Sequence, residues 1–295
     1  MEQRAEGSAI VWLGEPASAV SSLVGPKTAH LGALSAKRPV PPGFCVTAEA
    51  YRAARRAGGL TEELAGAIRD AYSRFTGRRA EDAYVAVRSS AIDEDGAATS
   101  FAGLHDTVLN VRGADAVLAA IERTWESLHS DSARAYRSQR GITAPDLGLA
   151  VLVQRMVWAD SAGVAFSVDP VTGRSDRLVV SASWGLGESV VAGTVNADTW
   201  TLDKDGLGVV EERVGDKERM TIPGEEGTSE VNVPRFLRSR PALTREELAS
   251  VARMTLELER EQGWPVDVEF AWQGGRLALL QCRPVTAAGE PGREP

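Results

Sequence analysis

The chain has 295 residues and a formal net charge of −8, so it exceeds one average domain and is expected to fold as one large or two coupled domains. The acidic balance, with no block of Lys and Arg able to neutralise successive phosphates, argues against a nucleic-acid surface. No apolar run approaches a membrane span and the first residues lack the pattern of a secretory signal, which makes the cytoplasm the expected compartment, with no membrane partner.

The apolar Ala9–Leu13 opens the chain, and a helix is predicted from Lys27 to Ala36, ended by Pro39-Val-Pro-Pro-Gly43. Thr47 is placed to cap a helix through Tyr51 and Arg56, and Thr61 with Glu62 and Glu63 opens another towards Phe75. Asp82–Arg88 reads as a buried strand delivering an arginine to a small-residue loop, Ser89–Gly103. Ala114–Arg140 has apolar residues at helical spacing, and the apolar run Leu147–Val157 predicts a strand buried on both faces. Strand signals dominate afterwards, at Gly163–Val168, Arg177–Ser181 and Gly208–Val214, before a helix from Thr244 to about Gln262. The change from helix-rich to strand-rich sequence sets the expected boundary, with lobes at 1–157 and 158–286 and a tail or linker at 287–295.

The last structured segment, Val266–Arg283, reads as a hairpin. Val266, Val268, Phe270 and Trp272 alternate in the first strand, Gly274-Gly275 turns, and Leu277–Leu280 continues the second. Glu269 and Gln281 then lie close across the pair, and their carboxylate and amide oxygens suit Mg²⁺. Arg283, on the same face, is placed to clamp a phosphate. A two-residue turn would set Glu269 opposite Leu280, so the expected register needs an odd connection, such as a three-residue loop with a bulge at Gly274 or Gly275. The same residues also describe an edge hairpin with solvated polar groups.

Lys27 opens a helix after Val24-Gly-Pro, where its ammonium and the backbone N–H groups could meet a phosphate, although an ordinary surface lysine fits the local sequence better. Arg88 is placed to grip an anion beneath the following loop. Trp184-Gly-Leu-Gly-Glu188 and Asp169-Pro-Val-Thr-Gly173 read as turns, the latter as a hairpin connection. Cys45, Cys282, His30, His105 and His129 lack ligand spacing and are expected to be structural or exposed.

Together, Pro39-Val-Pro-Pro-Gly-Phe44, Val87-Arg-Ser-Ser-Ala91, Ser100-Phe-Ala-Gly103, Val153-Gln-Arg-Met-Val157, Asp169-Pro-Val-Thr-Gly173, Trp184-Gly-Leu-Gly-Glu188 and Leu280-Gln-Cys-Arg-Pro284 make the chain similar, over nearly its whole length, to the nucleotide-binding domain of the dikinase-type phosphotransferases. These include phosphoenolpyruvate synthase, pyruvate phosphate dikinase and rifampin phosphotransferase. The resemblance implies an α+β, ATP-grasp fold in which two lobes hold ATP. It implies that Lys27 and Arg88 contact phosphates and that Gly103 and Thr107 belong to a small-residue lid. Gln154, Met156 and Val157 would form the adenine-side hinge, Glu269 and Gln281 would hold Mg²⁺, and Arg283 would meet the transferring phosphoryl group. Lys27, Arg88 and Arg283 would thus be the catalytic cations.

The chain departs from the family at Gly25-Pro-Lys-Thr28, where a Gly-Gly-Lys-Gly element followed by asparagine is usual; here His30 follows and proline stiffens the turn. No histidine has the Gly- and Ser-rich context of the family's phosphate carrier. The expected activity is therefore the first half-reaction, in which the β-phosphoryl of ATP passes to a histidine on a separate domain or chain, leaving AMP and phosphate. The carrier and an acceptor-binding domain are the expected partners, and the chain is expected to be an excised domain or one subunit of a split enzyme. Two rival expectations are a non-catalytic nucleotide-binding interaction module and an ATP-grasp ligase that forms an acyl phosphate and releases ADP.

Overall fold

The computed structural model describes residues 8–76, 83–92, 107–130 and 148–285. The chain divides into two compact units, Met1–Met156 with Gly224–Gly227, and Val157–Pro223 with Thr228–Pro295.

The first unit contains β1 (Ile10–Trp12), a 3₁₀ turn at Pro16–Ala19, α1 (Ser21–Val24), α2 (Pro26–Leu34), β2 (Gly43–Val46), α3 (Ala48–Ala57) and α4 (Glu62–Thr76). It continues with β3 (Tyr84–Ala91), β4 (Thr107–Arg112), α5 (Ala114–Ser127) and β5 (Leu149–Arg155). Its strands form one antiparallel sheet in the order β1-β2-β5-β3-β4. Alternation along the strands divides the core. Phe44, Val46, Val85, Val87, Leu149, Val151 and Val153 pack with Tyr51, Ile68, Tyr72, Val117, Ile121 and Trp125 of α3, α4 and α5. Cys45 and Ala150 instead join Val24 and Ala29 of α1 and α2. Apolar residues on both faces explain the unbroken apolar run of β5, and each fully buried large side chain contributes about 1.5–3 kcal/mol. As expected, the Thr47 hydroxyl accepts from Ala50 N and caps α3.

Two expectations for this unit need correction. The strand foreseen at Asp82–Arg88 runs from Tyr84 to Ala91, because Ser89, Ser90 and Ala91 pair with Val151, Ala150 and Leu149. The helix foreseen from Ala114 to Arg140 ends at Ser127, where the Ser127 hydroxyl bonds back to the Thr124 carbonyl at 2.7 Å and competes with the helical ladder. Residues 131–147, and Gly103 with most of its loop, lie outside the described residues.

The second unit contains β6 (Ser161–Phe166), β7 (Arg177–Trp184), α6 (Glu188–Val191), β8 (Asp198–Asp203), β9 (Val209–Arg213), β10 (Arg219–Pro223) and β11 (Thr228–Asn232). It ends with α7 (Arg235–Arg238), α8 (Arg245–Gln262), β12 (Val266–Gln273) and β13 (Arg276–Pro284). The main sheet is antiparallel in the order β13-β12-β6-β7-β8-β9, and β10 pairs with β11 separately. Helix α8 starts at a capping box formed by Thr244 and Glu247 and stops at the left-handed Gly263. Leu248, Val251, Ala252, Thr255 and Leu258 make its buried stripe, which packs against β6, β7, β12 and β13.

Strands foreseen at Gly163–Val168 and Arg177–Ser181 are found at Ser161–Phe166 and Arg177–Trp184, so Trp184 belongs to β7 rather than to a turn. Asp169-Pro-Val-Thr-Gly173 does lie in the β6–β7 hairpin connection, where the Asp169 carboxylate accepts from Val171 N and Thr172 N. Among the described residues, no helix is long and apolar enough to cross a membrane.

Candidate active site

In the first unit the described sequence-derived candidates are spread along β3 and its neighbours, from the Lys27 turn near Ser90 to Met156 beside Tyr84. Gly25, at φ 74°, sets the turn before α2, and Pro26 occupies the first turn of that helix, a position where a missing N–H costs nothing. Thr28 N donates to Ser90 Oγ at 3.2 Å, which ties the turn carrying Lys27 to the strand carrying Arg88. Arg88 is half-buried and pairs across β3–β4 with Thr107, which is exposed. Gln154 is buried in β5, and its amide nitrogen donates to the Pro41 carbonyl at 2.9 Å. Met156 is buried and closes the unit through an N–H bond to Tyr84 O, while Val157 begins the second unit.

In the second unit Glu269 pairs directly with Gln281, and Asp267 with Arg283. The device differs from the one foreseen. The turn is a tight two-residue Gly274-Gly275 pair, both at positive φ, and Gln273 faces Arg276. The extra residue is taken up further along, where Phe270 pairs with Leu279 and Glu269 with Gln281, leaving Leu280 as the bulge. A three-residue loop is therefore unnecessary.

The register carries across the sheet: Gln281, Glu269, Val164, Ser181, Thr199 and Arg213 form one cross-strand row. Glu269, Val164, Ser181, Thr199 and Arg213 of this row, with the neighbouring Asp267 and Arg283, border a cleft of about 440 Å³, walled also by Val190, Val191 and the loop from Gly193 to Ala197, while Gln281 is buried beside Glu269. Val266, Val268 and Phe270 point the opposite way by alternation and are fully buried.

Asp267 lines this cleft and is buried. Its Oδ2 accepts from Arg283 Nε at 2.7 Å, while its buried Oδ1 has no hydrogen-bond partner. Burial raises the pKa of its carboxyl; the Arg283 charge and hydrogen bond oppose that rise, and the neighbouring Glu269 adds to it. Cys282, on the other face of the strand, is pushed up to about 12 by burial and stays an inert thiol.

Asp267 was given no role from sequence; the signal available was its two-residue spacing from Glu269, which puts both carboxylates on one face. Asp198 and Lys217, which form a fully buried ion pair at 2.5 Å, were likewise given none. Asp198 accepts further from Gly215 N at 2.9 Å and Ala242 N at 2.7 Å, and the residues on either side of it, Ala197 and Thr199, line the cleft together with Gly215. The pair staples the far wall.

The orphan oxygen of Asp267, the Glu269 carboxylate and the Gln281 amide form an oxygen-only donor set suited to a hard cation. Among the described residues no group of three or more His, Cys, Asp or Glu forms a metal-binding cluster. Two carboxylates and an amide fit Mg²⁺, which keeps waters and substrate phosphates as its other ligands.

Residues 56–294 match the family model for the pyruvate phosphate dikinase AMP/ATP-binding domain. The chain belongs to this family. It is 36% identical over 323 residues to a protein of Methanocaldococcus jannaschii described as "Probable phosphoenolpyruvate synthase", covering 97% of this chain and 27% of the relative. Identity to the phosphoenolpyruvate synthase of Pyrococcus furiosus is 32% over 359 residues, 95% of this chain and 44% of the relative. The prodigiosin synthesizing transferase PigC of Serratia marcescens is 36% identical over 271 residues, 86% of this chain and 30% of the relative. The chain thus spans less than half the length of these relatives.

Proposed function

We propose that this chain is the ATP-binding component of a dikinase-type phosphotransferase with an ATP-grasp fold. The observation that carries the reading is the pairing of Gln281 with Glu269, which lines a cleft together with Asp267 and Arg283, in a chain of the AMP/ATP-binding family. In this reading a histidine nitrogen on a separate domain or chain attacks the β-phosphorus of ATP, and the bond to the α-phosphate oxygen breaks to release AMP. Water then takes the γ-phosphoryl as inorganic phosphate, leaving phosphohistidine. Glu269 and Gln281 hold Mg²⁺, which supplies neutralisation of the phosphate charge when bound. Lys27, Arg88, Gly103 and Thr107 orient phosphate oxygens, Arg283 meets the charge on the moving group, and Gln154, Met156 and Val157 border the base. Positioning and charge stabilisation are most of what phosphoryl transfer asks of a protein.

The test is to incubate the chain with ATP labelled in the β-phosphate, Mg²⁺ and the cognate carrier-histidine domain. Acid-labile label on the histidine and equal yields of AMP and phosphate are expected. Glu269→Ala and Gln281→Ala should each lower AMP formation by about 100-fold or more. ADP as sole product would instead indicate a ligase, and unconsumed ATP a binding module.

A further inference from the structure

The cleft in the second unit joins two chemistries. Its floor carries the charged corner of Asp267, Glu269 and Arg283, whereas the wall of Val190, Val191, Val195 and Ala197 has Asn196 as its one polar side chain among the described lining residues. Val191 is 52% exposed, an apolar side chain left outside the core. A carboxylate or hydroxyl at such a place orders a water and can take its proton, and a methyl group does neither.

This wall is held from behind. Gly193–Ala197 is a loop whose own main-chain bonds are short in range, from Gly193 N to Val190 O, Thr194 N to Ser189 O and Ala197 N to Val195 O. Its far end rests on Gly215, where a Cβ would stand 2.0 Å from Asn196 O and 2.8 Å from Ala197 O, so glycine alone admits the contact. Gly215 is gripped at both main-chain polar groups: its N–H donates to Asp198 Oδ1 at 2.9 Å and its carbonyl accepts from Lys217 Nζ at 3.0 Å. Asp198 and Lys217 are both fully buried. Desolvation offsets most of the attraction in a buried ion pair, so the pair adds little to stability over apolar residues of the same volume. What it adds here is a fixed main chain under the wall.

We infer that the valine wall keeps water from the bound triphosphate until the histidine-bearing chain arrives, and that Asp198 and Lys217 are positioning residues for that wall. The inference rests on the proposed phosphotransfer role and adds to it a selection between transfer and hydrolysis. The suppressed reaction is attack of a water oxygen on the γ-phosphorus: the bond from that phosphorus to the β-phosphate oxygen breaks, ADP and phosphate leave, and one proton passes to solvent. Groups that neutralise phosphate charge favour this attack as they favour transfer to histidine, so the selection has to come from which nucleophile the cleft admits.

The experiment compares the wild type with Val191→Asn, Gly215→Ala and Lys217→Met, and with Val210→Asn as control, since Val210 is 58% exposed on β9 and does not line the cleft. Each protein is checked for a native circular dichroism spectrum and assayed below its melting transition. ADP and phosphate are measured with ATP and Mg²⁺ alone, and AMP and phosphohistidine after the cognate carrier-histidine domain is added. In the wild type, ADP formation without the carrier should be at least about 100-fold slower than AMP formation with it. Val191→Asn should raise carrier-independent ADP formation about tenfold or more while changing KM for ATP by less than about threefold, a split that loss of folded structure does not produce. Gly215→Ala disturbs the wall without altering the ion pair and Lys217→Met alters the pair without adding to the wall, so both should raise ADP formation as well. Val210→Asn should stay at the wild-type rate. ADP formation unchanged in Val191→Asn, or raised equally in Val210→Asn, overturns the inference and leaves the phosphotransfer role intact if the wild type yields phosphohistidine. A rise in Val191→Asn with none in Gly215→Ala and Lys217→Met overturns the positioning role of the ion pair. Failure of the wild type to form phosphohistidine overturns the phosphotransfer role and the inference with it.

Discussion

A Cβ on Gly25 would stand 2.3 Å from Ser90 Oγ and 2.4 Å from the Ser90 carbonyl oxygen, and the residue sits at φ 74°. Backbone, not a movable side-chain tip, blocks the space. The close approach is what brings the Lys27 turn against the Arg88 strand, so this residue joins fold and proposed site. Gly25→Ala is expected to destabilise the protein by about 3 kcal/mol, from the left-handed backbone and the overlap together. Gly58→Ala supplies the control, because Gly58 is also left-handed, at φ 84°, with nothing within 4 Å of a Cβ. It should cost only about 1 kcal/mol in urea unfolding, and equal losses at the two positions would show that packing against Ser90 is not what fixes Gly25.

At the scale of elements, the closing hairpin was legible because it is polar where a core strand should be apolar: Glu269, Gln281 and Arg283 interrupt the apolar residues of the two strands. The register followed from requiring Glu269 and Gln281 to share a face, but the sequence could not say where the odd residue would be absorbed. Two glycines at positive φ make the two-residue turn favourable, so the irregularity moved to Leu280. The end of β3 was illegible for another reason. Ser89 and Ser90 carry little apolar signal, yet both are buried, since β5 pairs with them and α2 hydrogen-bonds to Ser90. Strands β10 and β11 were missed because they are short, little buried and form their ladder with each other, and β8 because its apolar signal is only Trp200 and Leu202 among polar residues. If Leu280 only absorbs the extra residue, deleting it leaves Phe270 opposite Leu279 and Glu269 opposite Gln281. The deletion should then change affinity for the Mg²⁺-complexed ATP analogue by less than about threefold, whereas Gln281→Ala should weaken it by about tenfold or more. A loss as large as that of Gln281→Ala would mean that the bulge itself aims the site residues.

For the whole molecule, two compact units with separate sheets predict that unfolding is not one all-or-none event. Tryptophan distribution makes this measurable: Trp158, Trp184, Trp200, Trp264 and Trp272 belong to the second unit, against Trp12 and Trp125 in the first. Tryptophan emission therefore follows the second unit more than far-ultraviolet circular dichroism does. The Lys217–Asp198 pair offers a way to perturb that unit alone, since both side chains are 0% exposed and lie within it. Lys217→Met keeps the length of the side chain but leaves a carboxylate buried without its cation, a change expected to cost about 3–5 kcal/mol. The fluorescence midpoint should fall by about 10 °C or more while the part of the dichroism transition due to the first unit stays in place. Adding Asp198→Asn removes the stranded charge but should restore less than half of the loss, because the single amide oxygen can accept from Gly215 N or from Ala242 N, which bond to different oxygens of Asp198, and its NH2 then faces the other N–H. If both probes fall together by the same amount, the two units unfold as one cooperative body, and the buried pair supports the whole chain rather than the cleft-bearing half.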